Sequence, residues 1–132
     1  MIYGIGIDIV SLKRIRRANR IHADKFVSRI FTDKEIEESK KLTDPTHYFA
    51  GRWAAKEAVS KALKTGMGAD CGWKDIEIHN ESSGSPSCRL YGKARSTAKK
   101  LGIKNMLVTI SHERKNICAF AVLEVTDKTQ AI

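Results

Sequence analysis

The chain has 132 residues, 42% of them hydrophobic and 30% charged, an ordinary composition for one globular domain. Lys and Arg number 24 against 15 Asp and Glu, so the net charge is +9. That surplus calls for an acidic partner, whether nucleic acid, anionic membrane, phosphorylated ligand or acidic protein, without choosing among them. Three cysteines (Cys71, Cys88, Cys118) without a C-x-x-C pair or a Cys/His cluster at zinc spacing point to reduced thiols, not a disulfide framework or zinc site. The longest apolar run, Ile117 to Leu123, is too short to cross a bilayer, and the N-terminus carries no secretory pattern. A soluble, cytoplasmic protein is expected.

Ile2 to Val10 alternates as a strand, with Ile5, Ile7 and Ile9 on one face and Gly4, Gly6 and Asp8 on the other. The isoleucines are expected to face the core. The two glycines beside one carboxylate make a face that another element can approach closely. Ser11 caps a helix from Leu12 to about His22, which carries Lys13, Arg14, Arg16, Arg17 and Arg20 and no acid. Lys25 to Phe31 continues it with an apolar turn. Thr32 and Glu35 form a capping box that opens a short helix to about Leu42.

The next helix, Phe49 to Gly68, is rich in Ala, Lys, Glu and Leu, follows Pro45 and stops at Gly66 and Gly68. Ala55, Val59, Ala62 and Leu63 share one side; Glu57, Lys61 and Lys64 share the other, with Ala50 and Ala54 as small neighbours. Glu57 and Lys61 are i and i+4, the spacing of an exposed ion pair. Asp75 to His79 and Cys88 to Tyr91 read as paired strands around the turn Asn80 to Pro86. A helix follows from Gly92 to Leu101. Asn105 to His112 and Asn116 to Val125 then form a hairpin, and Thr126 to Ile132 a frayed tail. Residues 1–125 thus make one α+β domain, a small antiparallel sheet packed with helices.

Asp8 on its glycine-lined strand and Glu57 on a small-residue helix face are candidates for a shared hard-cation site. Mg²⁺ takes one or two carboxylates and completes its shell with water and phosphate. Lys61, one turn beyond Glu57, is then placed to meet the phosphate. The same carboxylates would also suit a Mg²⁺-dependent phosphohydrolase. The Arg-rich helix would suit a basic nucleic-acid module, although aromatic content is only 7% and no recognition motif is present.

Several blocks together decide the direction. GIGIDIV at Gly4 to Val10, F-x-x-R-I-F-T-x-x-E at Phe26 to Glu35, FAGRWAAKEAVSKAL at Phe49 to Leu63, G-x-P at Gly84 to Pro86 and TISHE at Thr109 to Glu113 stand in one order along most of the chain. In combination the sequence resembles bacterial holo-acyl-carrier-protein synthase, of the 4′-phosphopantetheinyl transferases. The resemblance implies Mg²⁺-dependent transfer of phosphopantetheine from coenzyme A to a serine of an acidic apo acyl carrier protein, in support of fatty acid biosynthesis. It implies a homotrimer with sites at subunit interfaces, and neither a nucleic-acid nor a membrane partner.

By the same resemblance Asp8 and Glu57 hold the metal, and Lys61 is a catalytic phosphate contact. His112 lies near the coenzyme, Gly84 to Pro86 flank the nucleotide, and Arg14 docks the carrier. The serine's proton has Glu57, a metal-bound water and His112 as alternative acceptors. Trp53 replaces the family's usual Phe. Lys64 stands where the family often has Gly, at the nucleotide-facing end of the helix.

Overall fold

The computed structural model describes residues 1–126. The expected tail falls outside the described residues except for Thr126. Among the described residues five strands and four α-helices follow one another as β1 (Ile2–Ser11), α1 (Leu12–Ile30), α2 (Asp33–Ser39), α3 (Thr46–Ala62), β2 (Ile76–Asn80), β3 (Pro86–Leu90), α4 (Gly92–Leu101), β4 (Ile103–His112) and β5 (Asn116–Val125). A 3-10 turn, Trp73–Asp75, leads into β2. The architecture is α+β and antiparallel, in two pieces: a three-stranded sheet β1-β5-β4 and a separate β2–β3 hairpin.

Helix α3 is the centre of the packing. Twelve of its seventeen residues are buried, because it lies across the three-stranded sheet on one side and meets α1 and β2 on its flanks. Its small residues (Ala50, Ala54, Ala55, Ala58, Ala62) permit that close approach, and Phe49, Val59 and Leu63 fill the space between with Phe31, Ile76, Ile117 and Leu123. The helix begins three residues earlier than the sequence suggests. Asp44 captures the Thr46 amide and hydroxyl at 3.0 and 2.7 Å, which extends the first turn back to Pro45.

The alternation of β1 is present, but its orientation is the reverse of the expectation. Gly4 and Gly6 lie buried under α3, whereas Ile5, Ile7 and Ile9 are 59%, 58% and 66% exposed on the opposite face. A Cβ on either glycine would overlap a carbonyl oxygen of α3, that of Ala62 or Ala58. Backbone contact between strand and helix therefore takes precedence over burying the larger side chains. The Thr32–Glu35 capping box is present in both directions. The basic helix is interrupted at Ala23 (φ 38°, ψ −116°), one residue past its expected end, before a further stretch to Ile30.

Candidate active site

Because two glycines let α3 lie against β1, the next residue on that strand face, Asp8, comes beside the C-terminal half of the helix. Lys61 donates from Nζ to the Ile7 carbonyl at 2.9 Å and to Asp8 Oδ1 at 3.2 Å. Its partner is thus the carboxylate on the strand, not the Glu57 one turn back that helical spacing alone suggests. Glu57 is half-buried beside the pair. Burial pushes its carboxyl above the ordinary range and the neighbouring Asp8 charge adds to the shift, with Lys61 and Arg14 opposing.

Two carboxylates held close enough to repel, one of them partly desolvated, form a donor set that a hard divalent cation would relieve. Among the described residues no group of three or more His, Cys, Asp and Glu gathers into a metal site. A cation here would have two protein carboxylates and take its remaining oxygens from water or phosphate, the habit of Mg²⁺. The residues present fit that ion, which Asp8 and Glu57 would hold.

The other predicted residues divide into those near this pair and those far from it. Arg14 is exposed in the first turn of α1, which Ser11 caps through the Arg14 amide, and its charge reaches Glu57. Lys64 follows the α3 cap in the left-handed region (φ 67°), its ammonium 4.3 Å from the centre of the Tyr3 ring. A side chain costs about 1 kcal/mol or more in this conformation, which glycine adopts freely. The cation–π contact recovers part of the cost.

His112 ends β4 and faces the other half of α3, its Nε2 near Gly51 and its ring 6.2 Å from that of His47. Asp8 and Ile110 sit in one cross-strand row with Ala119 between them. His112, two residues beyond, is therefore roughly 12 Å from Asp8 by strand geometry. Gly84 and Pro86 belong to the β2–β3 turn, where Gly84 has φ 92° and Pro86 pairs with Asn80. The structure brings Asp8, Glu57, Lys61 and Arg14 together. It does not bring His112, Gly84 or Pro86 of the same chain to them.

Two functional-looking side chains of α3 escaped the sequence reading. Arg52 is 8% exposed, stacks 4.2 Å over the Tyr48 ring and donates to Asn80 Oδ1 at 3.1 Å, leaving its buried Nε unpartnered. It ties α3 to the hairpin that carries Gly84 and Pro86. Lys56 is wholly buried, pairs with Glu35 at 2.7 Å and donates to the carbonyls of Ile30, Trp73 and Ile76. Burial pulls its ammonium below the usual lysine range, and Glu35 opposes the shift. The available signal was spacing: Arg52 and Lys56 lie i and i+4 on the flank that continues to Val59 and Leu63, where a charge in an apolar stripe requires a buried partner.

On the outer flank of α1, a groove of about 340 Å³ has Ala18, Phe26, Ile30 and Trp53 as its floor and Arg14, His22, Lys25 and Arg29 around it. Trp53 stacks on Phe26 with ring centres 5.9 Å apart. A basic rim around an apolar floor suits an acidic amphipathic surface.

This architecture sets two carboxylates and a lysine together at one edge of an α+β fold, a group suited to phosphoryl transfer. The profile of the 4′-phosphopantetheinyl transferase superfamily matches residues 4–121. The holo-[acyl-carrier-protein] synthase of Natranaerobius thermophilus is 41% identical over 123 residues, covering 93% of this chain and 98% of that protein. The crystal structure of the synthase from Neisseria meningitidis superposes with a TM-score of 0.89 at 38% identity, covering 94% of this chain and 99% of that one. The synthase from Bacillus anthracis, solved in complex with CoA (3′,5′-ADP), gives 0.80 at 38% identity, over 96% and 99%. The chain belongs to the 4′-phosphopantetheinyl transferase superfamily, within its holo-acyl-carrier-protein synthases.

Proposed function

We propose that this enzyme moves the 4′-phosphopantetheine group of coenzyme A onto a serine of apo acyl carrier protein in a Mg²⁺-dependent reaction. The products are holo carrier protein and adenosine 3′,5′-bisphosphate. The observation that carries the reading is the Asp8–Glu57–Lys61 group, two facing carboxylates and an ammonium presented together on one edge of the fold. The relatives' names and the coenzyme-bound relative supply the substrate class.

Mg²⁺, held by Asp8 and Glu57, would supply Lewis-acid stabilisation of charge on the pyrophosphate. Lys61, anchored by the Ile7 carbonyl, offsets charge on the transferring phosphate. The serine oxygen forms a bond to the phosphorus that bears the pantetheine arm, and the bond from that phosphorus to the bridging oxygen breaks. The leaving bisphosphate takes that electron pair. Glu57, beside the reacting phosphorus, is the carboxylate that takes up the serine proton. Arg14 and the groove beside it receive the acidic carrier.

The active form in this reading is a homotrimer. Ile5, Ile7, Ile9 and Leu107 expose an apolar sheet face, which Phe120 and Val122 continue across the strand pairs. Such a patch marks an association surface. A neighbouring copy seated there would supply the His112 and Gly84–Pro86 groups that lie away from the carboxylate pair in the single chain. No helix among the described residues is long and apolar enough to cross a membrane. The setting proposed is the cytoplasm, in support of fatty acid biosynthesis.

Intact mass of an apo carrier protein incubated with enzyme, coenzyme A and Mg²⁺ tests the reaction. A gain of one phosphopantetheine group supports it. An unchanged carrier, with tight salt-sensitive binding to nucleic acid instead, contradicts it.

A further inference from the structure

A cavity of about 490 Å³ opens between the start of α1, the first turn of α3 and the β4–β5 turn. Lys13 and Arg16 reach it from α1, His47 from α3, and Arg114 and Lys115 from the turn. The Leu12 amide donates to the Lys115 carbonyl at 2.9 Å, so backbone holds the helix cations and the turn cations in register. Two acids stand nearby. Asp44 is 3.8 Å from Arg16 in an exposed pair, and Glu113 is occupied within the turn by the Lys115 amide and the Asn116 side chain. Four permanent cations against two acids leave an excess of positive charge.

Within one chain the cleft stands apart from the carboxylate pair, and its His47 ring lies 6.2 Å from that of His112, the residue the assembled site takes from a neighbour. Arg14 lies about 200° around the helix from Arg16 and lines the groove on the other flank. Ser11, at the cleft edge, is three residues along β1 from Asp8, roughly 10 Å away.

We infer that the cleft binds a small polyphosphate anion, free pyrophosphate or the diphosphate of a nucleotide, at a second site. Cations from three separate elements converge on one volume within a Debye length of one another, an arrangement that a multivalent anion relieves best. The guanidinium forks of Arg16 and Arg114 match pairs of phosphate oxygens, and the two lysines act as point charges beside them. The volume lies in the range of small-ligand sites. His47 is the one aromatic ring in the lining, so the phosphates carry the recognition and a nucleobase adds little. The same scarcity of rings argues against single-stranded nucleic acid, which binds by stacking successive bases.

The test follows backbone amide resonances of the full chain, freed of divalent metal, during titration with inorganic pyrophosphate and separately with adenosine diphosphate. Leu12, Lys115 and Asn116 should shift saturably, with similar affinity for both anions, and should do so equally in the Asp8→Asn variant. The double variant Arg114→Ala, Lys115→Ala should bind at least about tenfold more weakly, while its rate of carrier modification stays near that of the parent. Both side chains are exposed and the Lys115 carbonyl is retained, so the variant keeps its fold. Shifts confined to the surroundings of Lys61, or undiminished binding by the double variant, would overturn the second site. Far tighter binding of an oligonucleotide than of pyrophosphate would equally reject a small-ligand cleft.

Discussion

Gly6 and Ala58 touch backbone to backbone: the carbonyl oxygen of Ala58 occupies the place a Cβ on Gly6 would need. This contact sets the height of α3 above β1, and Asp8, two residues along, takes its distance from Glu57 and Lys61 from it. Gly6→Ala should therefore act on site and stability together. The helix carbonyl has no flexible tip to yield, so a loss of about 1–3 kcal/mol or more is expected. Turnover should fall in the part of the enzyme that remains folded. Thermal unfolding and single-turnover rates check this, and a variant as stable and as fast as the parent would show that the close approach is not needed.

Glu57 gives the pH dependence its sign. Its folded pKa is raised, first by burial and then by Asp8. A raised carboxyl favours the fold below the ordinary carboxylate range, and that contribution is lost as pH rises through the raised value. At neutral pH the metal-free protein bears the whole penalty of the ionised group. Glu57→Gln should therefore unfold at a higher temperature than the parent without metal at neutral pH, and this advantage should vanish on acidification. Melting curves against pH in the presence of a chelator measure it. An advantage that grew on acidification would contradict the assignment.

The buried pair of Lys56 and Glu35 joins α3 to α2 and, through the Ile78 amide that donates to Glu35, to β2. Removing one partner strands the other, so Lys56→Met should cost about 3–5 kcal/mol. Removing both charges, as Lys56→Met with Glu35→Gln, should recover part of that loss although three carbonyls still lack their donor. Chemical denaturation of the two variants decides. A double variant less stable than Lys56→Met alone would show that the ion pair is not the source of the cost.

What the sequence revealed and what it hid have separable causes. Period-two and helical spacing made legible that Asp8 shares a strand face with two glycines and Glu57 a helix face with Lys61, but not that the two faces meet, which only the resemblance suggested. The direction of the β1 isoleucines was not, because alternation specifies two faces and leaves open which is covered. Gly4 and Gly6 carried the answer: a helix backbone can only approach the face that has no Cβ. Arg52 and Lys56 were hidden because their partners, Asn80 and Glu35, are 28 and 21 positions away and meet them only through the packing of β2 and α2 on α3. The separation of His112 from Asp8 depends on strand register, which the sequence does not state.

Ile7 is exposed on the sheet face opposite Asp8, so a change there leaves the chain's own carboxylate pair untouched. Ile7→Asp should convert a sedimenting trimer to monomer, because a charge in the centre of an apolar interface is costly to bury. Turnover should be lost with the assembly. A variant that stays trimeric, or a fully active monomer, would remove the shared site from the account.

The carboxylate pair is the claim on which the reaction rests, and carrier modification against Mg²⁺ concentration tests it for Asp8→Asn and Glu57→Gln. Both substitutions keep size and remove charge. The expected loss at ordinary Mg²⁺ is about a hundredfold or more, corresponding to several kcal/mol of transition-state stabilisation. Raised Mg²⁺ should restore part of it where only affinity has fallen. Parent-like turnover by both variants across the whole Mg²⁺ range would contradict the assignment of Asp8 and Glu57 as the metal site.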